Sequence, residues 1–194
     1  MVRLRPIRLR FLERFGLDRR GVSAVEFALI APLLLLLYFG VGELCEAMMA
    51  QRRTAHATSA IGDLATQSQS LASSDVSDIF AAGSTIMAPF TGTLKLKLTS
   101  VTANASATPT IDWSCAVNGM TADTAGATYS GLPTGLISVA GDSIIVATGQ
   151  YTWTTPAQYI MPGKQAFIPT SLNFNEVYYL KPRKSSQVTG PSSC

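Results

Sequence analysis

The residue whose type and position most demand a chemical explanation is Glu26, the only charged side chain between residues 22 and 42. At the centre of a membrane helix an acidic group costs about 2.5–3.5 kcal/mol, less near the end, so such a residue calls for a pairing or functional role. The chemistry it suggests is charge pairing. Catalysis finds little to work with elsewhere in the chain. His56, within Arg52-Arg53-Thr54-Ala55-His56, is the only histidine, and no second one is present to complete a metal site. A solvated helix position suits it better than an imidazole acting without oriented partners. There is no G-x-S-x-G serine and no G-x-x-x-x-G-K-S/T phosphate loop. Asp63, Asp75, Asp78, Asp112, Asp123 and Asp142 lack the spacing of a calcium loop. The expectation is a chain that is not an enzyme and uses no cofactor or metal.

The elements that position Glu26 follow from composition. Of 194 residues, 47% are apolar and only 14% charged, below the roughly 25% charged of soluble domains. From residue 22 to 42 the chain is apolar apart from Glu26, and this length at about 1.5 Å per residue crosses a ~30 Å hydrocarbon layer. Ahead of it stand Arg3, Arg5, Arg8, Arg10, Arg14, Arg19 and Arg20 against only Glu13 and Asp18; beyond it come Glu43 and Glu46. The positive-inside rule then puts the N-terminus in the cytoplasm and the remaining chain outside the cytoplasmic (inner) membrane, in the periplasm. After residue 20 the chain carries eight basic and ten acidic side chains. That balance leaves no basic stripe for nucleic acid, and no small-molecule substrate is expected. A secretory signal peptide would end in an A-x-A-type cleavage site, whereas Gly42-Glu43-Leu44-Cys45-Glu46-Ala47 continues in helix-favouring residues.

The segment Arg20-Gly21-Val22-Ser23-Ala24-Val25-Glu26-Phe27-Ala28-Leu29, followed by Pro32 and the leucines 33–37, resembles the prepilin family, and within it the TadE/TadG family of the tight-adherence (Tad/Flp) pilus system. Ile111-Asp112-Trp113-Ser114, Tyr151-Thr152-Trp153 and Tyr178-Tyr179-Leu180-Lys181-Pro182-Arg183 are similar to patches in the heads of that family. The resemblance implies that a prepilin peptidase cuts after Gly21, leaving Val22 as the first residue and Glu26 as the fifth, followed by Phe27. It implies that Glu26 pairs with an α-amino group, its own or a neighbour's, during assembly. A carboxylate in a first helical turn suits the helix dipole, and a paired charge costs less than a lone one. The alternative places Glu26 at the headgroup level of an uncleaved anchor. The implied function is that of a minor pilin-like (pseudopilin) component of a Tad type IV pilus, supporting adhesion. Its partners would be other pilus subunits, the inner-membrane assembly platform, the prepilin peptidase and the bilayer. The alternative function is an uncleaved, anchored envelope or ligand-binding protein of the TadG kind.

The expected fold class is α+β: a long N-terminal transmembrane pilin-like helix, then an extracytoplasmic head with a short helix and about four antiparallel strands. The expected organisation is a basic leader at 1–21, a membrane helix and stalk at 22–71, and a head at 72–194. Ala47, Ala50, Ala57, Ile61, Leu64 and Leu71 recur at helical offsets, which predicts a helix from residue 22 to about 70. Ser74-Asp75 predicts the start of a second helix with Val76, Ile79, Phe80 and Ile86 on its apolar side. Segments 94–98, 111–117, 142–153 and 171–180 read as strands, and the Gly/Ala/Thr-rich 118–141 as a long exposed loop. Cys45, Cys115 and Cys194 allow three pairings. Cys115 with Cys194 is preferred, because that bridge ties the C-terminal tail to the sheet. Cys45 is then a buried filler or an intersubunit thiol, and separate free thiols are the alternative. Lys181-Pro182-Arg183-Lys184 reads as a solvated strand end, and Asn104-Ala105-Ser106 matches a glycosylation triplet of a kind common by chance.

Overall fold

The computed structural model describes residues 21–155 and 171–194. The arginine-rich leader, 1–20, lies outside the described residues. The elements are α1 (Val22–Thr66), α2 (Ser73–Ile86), β1 (Lys95–Ala103), β2 (Pro109–Val117), β3 (Ser143–Thr154) and β4 (Ser171–Leu180). They form an α+β fold with one antiparallel four-stranded sheet in the order β2-β1-β3-β4. The chain divides into two compact units, Met1–Leu44 and Cys45–Cys194, with α1 contributing to both.

In the first unit α1 is apolar, contains Pro32, and leaves leucines 33–37 exposed. It is the one helix among the described residues long and apolar enough to cross a membrane.

In the second unit α1 is part of the core. Its buried residues are small: Ala47, Ala50, Thr54, Ala57, Thr58, Gly62, Ala65 and Thr66, with Ile61 the one large side chain. Spaced at three, four and seven, they form one stripe that lets the helix axis come close to the sheet. Gly149 on β3 completes the fit, since a Cβ there would lie 1.9 Å from Thr58 Oγ1. A Cβ on Gly62 would meet Leu180 at 2.6 Å and Ala147 at 3.0 Å. The buried threonines satisfy their hydroxyls within the helix, Thr54 donating to Ala50 O at 2.9 Å and Thr58 to Thr54 O at 2.7 Å. The helix ends at Thr66 rather than near residue 70. The backbone of 66–71 is claimed by the C-terminal tail, with Arg183 N donating to Thr66 O, Leu71 N to Thr189 O and Thr189 N to Gln69 O.

Helix α2 starts at Ser73, one residue before the expected cap. The carboxylate of Asp75 reaches back to accept from Ala72 N at 2.9 Å, the return half of a capping box. Val76, Ile79, Phe80 and Gly83 face inward, and Gly83 admits the Ile61 side chain. With Leu96, Leu98, Trp113, Ile145, Ala147 and Tyr151 they make the main core between the helices and one sheet face.

The opposite sheet face carries a second, smaller cluster, Val101, Ile144 and Val146, covered by Tyr129, Leu132, Ile137 and Tyr179. A register shift between Ser100 and Val101 leaves Asp112 as the extra residue on β2, where it accepts hydrogen bonds from Ser100 at 3.0 Å and Thr102 at 2.6 Å. Segment 118–141 is the long, mostly exposed loop expected, but it is fastened to the sheet. Residues 126–129 pair along the outer edge of β2, and Asp123 ion-pairs with Lys97 at 2.9 Å and accepts from Thr99 at 2.9 Å. Burial pushes the Tyr129 phenol up, reinforced by Tyr179 and Asp123.

Candidate functional site

Gly21 immediately precedes α1, and Val22 is its first residue. Both are exposed, as are Glu26 and Phe27. The Gly21–Val22 peptide therefore lies where α1 begins. Glu26 sits in the second turn, not the first, which holds no acid. It makes no hydrogen bond or ion pair with any described residue. It stands four residues from Val22, about 6 Å along the axis and nearly on the same face. Because Cα–Cβ bonds lean toward the helix N-terminus, the Glu26 side chain can reach toward an amine at Val22. What the arrangement offers is one carboxylate, exposed on an apolar helix, positioned for a cation that the chain's described residues do not supply.

Cys115 and Cys194 form a disulfide with Cα atoms 5.6 Å apart, and Cys45 is a free, exposed thiol. Cys115 is fully buried on β2. The bridge closes a tail that is packed as well as tied. Trp113 Nε1 donates to Val188 O at 2.9 Å, Val188 is fully buried, Gly190 lies flat on the indole, and Ser73 Oγ donates to Ser193 O at 2.6 Å. The sequence carries little signal for this packing, because Val188 is one apolar residue in a Ser/Thr/Gly/Pro-rich stretch.

The remaining candidates are structural. His56 is exposed, and its carbonyl accepts from Ser59 Oγ at 3.0 Å. Asn104 turns the β1–β2 hairpin, its Oδ1 accepting from Ser106 N at 2.9 Å and Thr108 N at 3.0 Å. Asp142 Oδ2 accepts from Ser138 N at 3.1 Å and Val139 N at 3.2 Å. These two bonds hold its carboxyl below the usual range, with Lys181 adding to the effect. Arg183 pairs with Asp63 on the surface. Among the described residues no group of three or more His, Cys, Asp or Glu side chains is placed to hold a metal.

The arrangement is a helix whose apolar first half, long enough to cross a membrane, bears Glu26 as its sole charge up to residue 42, together with an α+β head. Residues 21–62 match the family described as TadE-like protein, so the chain carries a TadE-like segment that starts at the glycine and takes in Glu26. No curated protein and no solved structure matches the chain.

Proposed function

We propose that the protein is a minor pilin-like subunit of a Tad/Flp type IV pilus, inserted in the inner membrane with its leader in the cytoplasm and its head in the periplasm. A prepilin peptidase removes the leader after Gly21. The new ammonium on Val22, its own or a neighbour's, then pairs with Glu26 inside the apolar layer, and the pairing sets the register between subunits. Two opposite charges together in a low-dielectric layer cost much less than either alone. The pairing therefore disfavours any arrangement of subunits that separates them. Adhesion is the work of the assembled pilus, and the head contributes contacts rather than catalysis.

The observation that supports this reading is the coincidence of the TadE-like match, beginning at Gly21, with Glu26 as the sole charge on the exposed apolar part of α1. Mass spectrometry of the mature N-terminus tests the processing step. Val22 as the first residue is expected, and Met1 would return the chain to the uncleaved, TadG-like alternative. Glu26→Gln keeps shape and removes charge. It is expected to leave insertion intact while reducing piliation and surface attachment at least several-fold, and unchanged piliation would exclude the pairing role.

A further inference from the structure

The two edges of the sheet are treated differently. The outer edge of β2 is occupied: Ile111 N donates to Ala127 O at 2.9 Å, Gly126 N to Ile111 O at 2.7 Å, and Tyr129 N to Pro109 O at 2.9 Å. The register shift at Asp112 and the tail disulfide at Cys115 blunt it further. Among the described residues, nothing pairs with the outer edge of β4. Strand β4 pairs with β3 through ten consecutive residues without a bulge, and among the described residues no other backbone group bonds to it. Its sequence, SLNFNEVYYL, contains no proline, lysine or arginine. Proteins normally protect an edge with those residues, with a bulge, or with a covering segment.

The helix-covered side of β4 is also unfinished. Leu172, Phe174, Tyr178 and Leu180 pack against the core but remain only partly buried. Between Phe174 and Tyr178, on the same face, Glu176 is half-buried and has no ion pair or hydrogen bond among the described residues. One more strand would cap the backbone row, extend the apolar row and bring a cation to the acid.

We propose that the free edge of β4 is a docking site for an extended segment of a second protein, with apolar side chains at alternate positions and a lysine or arginine opposite Glu176. The binding mode is strand addition, with backbone bonds giving affinity and alternate side chains giving specificity.

A second copy of this chain fits poorly. Thr58 lies at Gly149 and Gly62 at Ala147, so this part of α1 runs against β3 and therefore along β4. Antiparallel pairing of two β4 strands would bring no cation to Glu176, because SLNFNEVYYL holds no lysine or arginine. Head-to-tail association needs an open β2 edge, which 126–129 occupies. Parallel pairing about a two-fold would continue the apolar row of one copy into the Asn173 and Asn175 row of the other. The choice of occupant thus rests on the unanswered charge of Glu176 and on the occupied β2 edge.

The test uses the full-length chain in detergent micelles and the synthetic peptide Val-Thr-Val-Thr-Lys-Thr-Val-Thr-Val as probe, which puts its lysine and its valines on one face. A copy methylated on alternate backbone nitrogens, and so unable to form a ladder, is the control. Hydrogen exchange of the 171–180 amides is followed by mass spectrometry. The unmodified peptide is expected to slow about half of these amides at least ten-fold, and the methylated peptide to leave them unchanged. Glu176→Gln should weaken binding roughly three- to ten-fold, and Glu176→Lys should abolish it. Three results overturn the proposal: no protection, equal protection by both peptides, or a free protein that sediments as a dimer with 171–180 already protected. None of these readings depends on leader removal or pilus formation, so failure here is distinguishable from failure of the pilin reading.

Discussion

Replacing Cys194 with serine removes the Cys115–Cys194 bridge at the exposed end and leaves Cys115 as a small buried thiol, a role cysteine fills without strain. The sequence separation is 79 residues. In the chain-entropy treatment, closing a loop of that size restricts the unfolded state by about 4.5 kcal/mol at 25 °C. Measured losses on removing native disulfides run to about 2–5 kcal/mol, a large share of the roughly 5–15 kcal/mol that holds a typical domain together. For a domain of this size each kcal/mol shifts Tm by about 2–4 °C, so Cys194→Ser is expected to lower Tm by about 5–15 °C. The measurement is thermal unfolding of the full-length chain in detergent, followed by tryptophan fluorescence, because Trp113 donates directly to the tail carbonyl of Val188. Reductant should bring the wild type down to the variant and leave the variant unmoved. A Tm change under about 2 °C, or a reductant effect of equal size on both proteins, would refute the reasoning: the tail would then be held by packing alone.

Three further outcomes follow from the same geometry. Gly149→Ala drives a Cβ into Thr58 Oγ1 and should cost about 1–3 kcal/mol as overpacking, read by denaturant unfolding; adding Thr58→Ala should recover part of it. The Asp142 carboxyl titrates below the usual range because Ser138 and Val139 donate to its ionised form. Its contribution to stability is therefore present above the unfolded-state carboxylate pKa and is lost as pH falls through the lower folded value. A wild-type minus Asp142→Asn stability difference that shrinks on acidification tests this. Trp113→Phe keeps an aromatic ring under Gly190 but removes the bond to Val188 O. It should cost about 1 kcal/mol in unfolding free energy and speed exchange of the Leu71 and Thr189 amides.

The legible parts of this fold were those written as periodicity. Lys95-Leu96-Lys97-Leu98 announces a half-buried strand, and the β-branched and aromatic runs around Ile111, Ile145 and Phe174 mark the other three. The four elements pair antiparallel as that reading expects. The start of β2 was less legible, because Pro109 opens the strand where a proline usually argues against one, and it does so at the edge, where its missing N–H costs nothing. Segment 118–141 reads as a loop because glycine, alanine and threonine carry no period, and it holds no named helix or strand. Its structure comes from contacts distant in sequence, such as Asp123 with Lys97 and Ala127 with Ile111. The same holds for Val188, whose burial depends on Trp113, 75 residues away. Of the candidate site, Gly21 and Glu26 stood out by charge and spacing alone. The helix start at residue 22 was read correctly as well, and counting 3.6 residues per turn from it puts Glu26 in the second turn rather than the first.

One helix with two surroundings has a consequence for how this protein can be made. The stretch from Ala47 to Thr66 forms one wall of the head, nine of its residues buried there, yet it is chained directly to a segment suited to lipid. A fragment beginning at residue 72 would keep every strand and lose that wall, exposing Leu96, Leu98, Ile145 and Ala147 to water. Such a fragment should aggregate, and any soluble version must retain the helix from about Cys45 onward. In the cell, the wall emerges from the ribosome before any strand it must cover, and Cys194 emerges after all of them. Folding of the head thus draws on the same helix that carries the lipid-suited segment, and the Cys115–Cys194 bridge can close only after every strand has been made.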